Sequence, residues 1–84
     1  MYRLVVERRA EKDLTGWPSP SIKRIAQALR DLTTDPYPPG SLKLSGQGEN
    51  LRIRVGDYRI IYRVSETPPE IRILKIGHRK DVYR

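Results

Sequence analysis

The sequence has no cysteine, no phenylalanine, one tryptophan and one histidine. Without cysteine there is no disulfide, no thiolate zinc site and no thiol nucleophile. A single imidazole, His78, cannot build a histidine cluster, so neither a metal nor any other cofactor is expected. Acidic residues are scarce too. Ten Asp and Glu stand against 17 Lys and Arg, a formal net charge of +7, which makes a polyanion the default partner. Long apolar runs are also missing. Nothing approaches the roughly 18 residues of a membrane span, and the N-terminus offers only Leu4, Val5 and Val6 before charge returns. The expectation is a cytoplasmic protein with no membrane partner.

What is present is enough for one small domain spanning residues 1–84. Leu, Ile and Val account for 21 of the 84 residues, above the share at which highly charged chains stay disordered. With so few aromatic rings, the core is expected to be aliphatic.

Tyr2, Leu4 and Val6 alternate with Arg3 and Val5, predicting a short strand. The charged stretch from Glu7 to Leu14 favours a helix, ended by Thr15, Gly16 and Pro18. Ser19 and Pro20 read as an N-cap and first-turn pair. Ile22, Ile25, Ala26, Leu29 and Leu32 then recur at helical spacing, placing a second helix near residues 20 to 33. Beyond the Pro36 to Gly40 connection the pattern is β. Leu51, Ile53 and Val55 alternate with Arg52 and Arg54, and Tyr58, Ile60, Tyr62 and Val64 alternate with Arg59, Ile61 and Arg63. Gly56-Asp57 between them carries the type II′ turn signature. The run from Ile71 to Ile76 suits an inner strand closed by Gly77. The expected fold is α+β, in the order β-α-α-β-β-β, with two helices packed on one face of a mostly antiparallel four-stranded sheet.

A two-residue loop at Gly56-Asp57 fixes the register: Val55 faces Tyr58, Arg54 faces Arg59, Ile53 faces Ile60 and Arg52 faces Ile61. Arg52, Arg54, Arg59 and Arg63 then share one sheet face. Opposed like charges destabilise a strand pair, and an external anion offsets that cost. Guanidinium suits phosphate because its planar fork grips two oxygens and stays charged. A solvated, aggregation-resistant face is the blander alternative. The tail from Gly77 to Arg84 adds His78, Arg79, Lys80 and Tyr83. RNA cleavage by a 2′-hydroxyl needs a proton acceptor, a proton donor for the leaving 5′ oxygen, and cations at the phosphorane charge. His78 and Tyr83 suit the proton transfers, and Arg59 and Arg79 the charge.

The segments LRIRVGDYRIIYRV and IGHRKDVY, preceded by KLSG at residues 43–46, resemble the RelE/ParE superfamily of toxin–antitoxin toxins, most closely its RelE-like messenger-RNA endonuclease branch. The resemblance implies a metal-independent toxin that enters the ribosomal A site, cleaves mRNA by 2′-hydroxyl attack and so inhibits translation. It also implies a cognate RelB-like antitoxin as partner. Carried over residue by residue, the transition-state arginines match Arg59 and Arg79, and the stacking and proton-transfer tyrosine matches Tyr83. The alternating basic pair matches Arg52 and Arg54, and the basic residue of the KL-G segment matches Lys43. Arg63 and Lys80 complete the expected RNA-binding set. Well-studied members carry lysines where Arg52 and Arg54 stand, and arginine is a poor base. The base is left open among His78, Tyr83, Glu49 and Asp81, with the first two ranked ahead. Two other functions fit the same fold: a ParE-like DNA gyrase poison without nuclease activity, and a non-catalytic basic module that binds RNA or the ribosome.

Overall fold

The computed structural model describes residues 1–46 and 48–78. Its elements are β1 (Arg3–Val6), α1 (Arg8–Asp13), α2 (Ser19–Thr34), β2 (Leu42–Lys43), β3 (Leu51–Val55), β4 (Tyr58–Glu66) and β5 (Pro69–His78). The sheet runs β1-β5-β4-β3-β2, with β1 parallel to β5 and every other pair antiparallel. This is the expected α+β order with one correction, a fifth strand. Leu42 and Lys43 pair with Arg52 and Leu51 and extend the sheet beyond β3. Two residues are too few to display an alternation, so the sequence hides them.

α2 follows from its apolar spacing: Ile25, Leu29 and Leu32 fall on one stripe and are buried. Its start differs from expectation. Pro18, at φ −59° and ψ 142°, occupies the cap position, no side chain caps the helix, and Ser19 is already helical. Pro20 in the first turn gives up only an N–H that has no helical partner there. α1 is a six-residue helix that buries Ala10. No helix among the described residues is long and apolar enough to cross a membrane.

Both helices cover the same face of the sheet. Ala10, Ile25, Leu29 and Leu32 join Leu51, Ile53, Ile60, Tyr62, Ile71, Ile73 and Ile76 in one core cluster. Full burial of a leucine or isoleucine side chain in this cluster is worth roughly 1.5–3 kcal/mol. Tyr62 lies wholly inside, and its hydroxyl donates to the Pro36 carbonyl at 2.7 Å, so its one polar atom is satisfied. Burial pushes its phenol pKa up to about 12.

The hairpin register is the expected one, from Val55 opposite Tyr58 to Arg52 opposite Ile61. Gly56 has φ +62°, and no non-glycine residue among the described ones takes a positive φ, which agrees with a type II′ turn. The β4–β5 ladder contains a break. Ile61 pairs with Lys75 but Tyr62 pairs with Ile73, so Leu74 is an extra residue. This bulge rephases β5: Ile71 and Ile73 before it, and Ile76 after it, all meet the core. Lys75 and Gly77 consequently fall on the open face. The strand continues through His78 rather than ending at Gly77.

Candidate functional site

The open face of the sheet carries its charge in rows. Next to the turn, Arg54, Arg59 and Gly77 lie side by side across β3, β4 and β5. The next row is Leu42, Arg52, Ile61 and Lys75, from β2 to β5. A third brings Arg63 beside Arg72. Ile61 is only 7% exposed yet lies outside the core cluster, an apolar floor between Arg52 and Lys75.

These cations are not equivalent. Arg63 donates from Nε and Nη2 to Asn50 Oδ1, at 3.1 and 2.8 Å. Arg72 pairs with Glu70 at 3.0 Å and with Glu7 at 3.7 Å. Arg52 and Arg54 make no ion pair among the described residues. The Nε of Arg52 is buried and has no hydrogen-bond partner among the described residues. A buried donor left unmade is costly, so an incoming acceptor at this row gains more than the bond alone.

Arg52, Arg54, Arg59 and Arg63 thus share one face, as the hairpin register implied. Two other expected residues point elsewhere. Lys43 pairs with Leu51, a core residue, so its side chain leaves the sheet on the helix side while Leu42 occupies the arginine face. His78 pairs with Tyr58 and meets its ring edge-on, with centroids 5.8 Å apart. Tyr58 in turn packs on Trp17 at 4.4 Å and donates to Ser21 Oγ at 3.3 Å. His78 therefore sits in an aromatic group on the helix side, not beside Arg59. Arg79, Lys80 and Tyr83, with the alternative base Asp81, lie outside the described residues.

Two basic residues belong to this region that sequence reasoning missed. Lys75 reaches the open face only because of the Leu74 bulge, for which the sequence gives no signal. Arg24 of α2 lays its guanidinium against the hairpin turn, where a side chain at Gly56 would meet Nη2 at 3.0 Å. It lies on the polar side of α2, and only tertiary packing brings it to the turn. A different group closes the opposite end of the sheet. There Tyr2 donates to Glu66 Oε1 at 2.6 Å, and that bond to a carboxylate pushes the Tyr2 pKa up to about 12.

A family model described as the ParE toxin of the type II toxin–antitoxin system parDE matches residues 4–83. The chain belongs to the RelE/ParE family of toxins. Toxin RelG of Mycobacterium tuberculosis is 29% identical to the toxin over 84 residues, 99% of this chain and 97% of RelG. A chain of the archaeal RelE–RelB complex from Pyrococcus horikoshii superposes with a TM-score of 0.82 at 31% identity, covering 96% of this chain and 98% of that one. The intact Escherichia coli RelBE complex contains a chain with the same fold, at a TM-score of 0.79 and 21% identity over 93% and 96% of the two chains. The toxin is therefore RelE-like and of the type II toxin–antitoxin class.

Proposed function

We propose that this toxin is a ribosome-dependent mRNA endonuclease that needs no metal, inhibits translation and is neutralised by a RelB-like antitoxin. The observation that carries the reading is the pair of adjacent arginine rows on the open face, with Arg54 across from Arg59 and the buried Nε of Arg52 beside them. Such a face suits a phosphodiester whose charge grows during reaction.

In the proposed chemistry the 2′-hydroxyl of the message gives up its proton and its oxygen bonds to the adjacent phosphorus. The bond from phosphorus to the 5′ oxygen then breaks, and that oxygen takes up a proton. Arg59 and Arg54 hold the phosphorane charge, Arg52 and Lys75 steer the flanking backbone, and Arg79 and Tyr83 supply the remaining cation and proton transfer. The placement of His78 against Tyr58 favours Tyr83 over His78 for proton transfer.

The relatives from P. horikoshii and E. coli were solved as complexes with RelB, which supports a RelB-like partner for this chain. A charge of +7 suits an acidic, amphipathic antitoxin segment.

Mapping cut sites on a translated message by primer extension tests the reading, with wild type beside Arg59→Ala. Cuts confined to the A site, and lost in the variant, are expected. The matching family description names ParE, which favours a second reading, a gyrase poison. Intact message together with gyrase-trapped DNA breaks would establish that alternative.

A further inference from the structure

Outward positions of an antiparallel sheet covered on one face ordinarily carry polar side chains. Ile61 breaks that rule. It stands on the open face between Arg59 and Arg63 of its own strand, opposite Arg52 on β3 and Lys75 on β5. Both helices pack on the other face and Ile61 lies outside the core cluster, yet it is only 7% exposed. Among the described residues its neighbours on this face are cations, and their alkyl stems are what can take an isoleucine out of water.

The burial of those cations identifies the stems. Arg52, Arg59 and Lys75 are half-buried, whereas Arg54 and Arg63 on the same face are exposed. The Nε atoms of Arg52 and Arg59 are shielded from solvent. Nε sits at the end of the three-carbon stem, so a shielded Nε marks a stem laid along the sheet rather than raised into water. Arg52 is directly across from Ile61 and Arg59 precedes it by two residues, both within reach. The two exposed arginines have separate reasons to leave Ile61 alone. Arg54 is only a diagonal neighbour, and Asn50 draws Arg63 aside.

We propose that Ile61 is a positioning residue of the cation rows: it is the apolar bed on which the stems of Arg52, Arg59 and Lys75 lie, and it fixes where their charged ends meet the phosphodiester. The inference rests on the endonuclease reading above. Arginine and lysine are rich in rotamers, whereas a β-branched isoleucine in a strand is stiff. Stems laid on it hold the cations in place before the message arrives, as stabilisation of a phosphorane charge requires. A misplacement of about 1 Å at reacting groups costs on the order of a hundredfold in rate.

The test has two arms, applied to wild type, Ile61→Ala and Ile61→Val. In the free toxin, NMR follows exchange of the arginine Nε–H groups with water. Ile61→Ala should speed exchange at Arg52 and Arg59 and leave Arg54 unchanged. On programmed ribosomes at saturating concentration, Ile61→Ala should lower the single-turnover rate constant tenfold to a hundredfold, with Ile61→Val close to wild type. A role in folding alone would lower the fraction of toxin that reacts, not its rate constant. In an Arg59→Ala background the Ile61→Ala loss should be much smaller, because Ile61 acts through that guanidinium. Should Ile61→Ala not fold, Ile61→Thr takes its place, keeping the branched, strand-favouring shape while setting a hydroxyl beneath the stems. Unchanged Nε–H exchange, a wild-type rate constant, an Ile61→Val as slow as alanine, or an equal loss in both backgrounds overturns the inference. Wild-type toxin that cuts no message overturns the endonuclease reading itself, and the positioning role with it.

Discussion

Arg54 and Arg59 face each other across β3 and β4, one residue in from either side of the Gly56–Asp57 turn. Directly opposed side chains have Cβ atoms about 4.5–5.5 Å apart, and like charges at that distance oppose the pairing. The second arginine pair, Arg63 and Arg72, shows what an internal remedy looks like: Asn50 holds one and two glutamates hold the other. Arg54 has no such carboxylate among the described residues.

Replacing Arg54 with threonine should therefore stabilise the free toxin. Relief of the cross-strand repulsion and a gain in strand propensity together should give roughly 0.2–1 kcal/mol. Urea unfolding at low salt reads this directly, and the same variant should cleave message more slowly. A stability loss would show that Arg54 serves the fold.

Arg63 is expected to behave differently from its neighbours on the same face. Its guanidinium is already engaged by Asn50 at the loop entering β3, so Arg63→Ala should cost stability of about 0.5–1.5 kcal/mol. Its effect on single-turnover cleavage should be much smaller than that of Arg59→Ala. Parallel denaturation and cleavage assays separate the two kinds of loss.

The Tyr62 phenol sets an alkaline limit. Its folded pKa is raised to about 12 from an unfolded value of 10.0, so the protonated form is the one the fold favours. Its contribution is fully present below the unfolded value and is lost as pH rises from there through the folded value. Tyr62→Phe should cost about 1–3 kcal/mol near neutrality by leaving the Pro36 carbonyl without its buried donor. The variant should also lose stability less steeply over that alkaline window, measured by denaturation at stepped pH.

At Gly56 two effects compete, and they can be separated. Alanine there must adopt φ +62° and also meets the Arg24 guanidinium at 3.0 Å. The backbone strain is about 1–2 kcal/mol, while the contact involves the end of a flexible side chain that can move aside. Gly56→Ala should thus destabilise by nearly the same amount in an Arg24→Ala background. A large rescue would put the close contact, not the turn, in control.

The parts of this structure that were legible in the sequence are those fixed by period and turn. One glycine-led turn between two alternating runs determined every pair from Val55–Tyr58 to Arg52–Ile61, and with them the face that gathers Arg52, Arg54, Arg59 and Arg63. α2 was visible because its buried stripe spans more than two turns. β2 was hidden by its length. The Leu74 bulge was hidden for a different reason: in an apolar strand a one-residue slip changes no pattern, yet it decides that Lys75 joins the arginines and that His78 faces Tyr58. The Asp13 bond to Ile76 and the approach of Arg24 to the turn depend on elements far apart in the chain, which no local pattern encodes.

The most direct test is the single-turnover rate at which Arg59→Ala cleaves a message in the A site of programmed ribosomes, at saturating ribosome concentration. Loss of one transition-state phosphate contact should lower that rate about a hundredfold, equivalent to about 3 kcal/mol, with ribosome affinity little changed. A variant that cuts as fast as wild type, or that loses only affinity, would contradict a role for the arginine rows in breaking the phosphodiester.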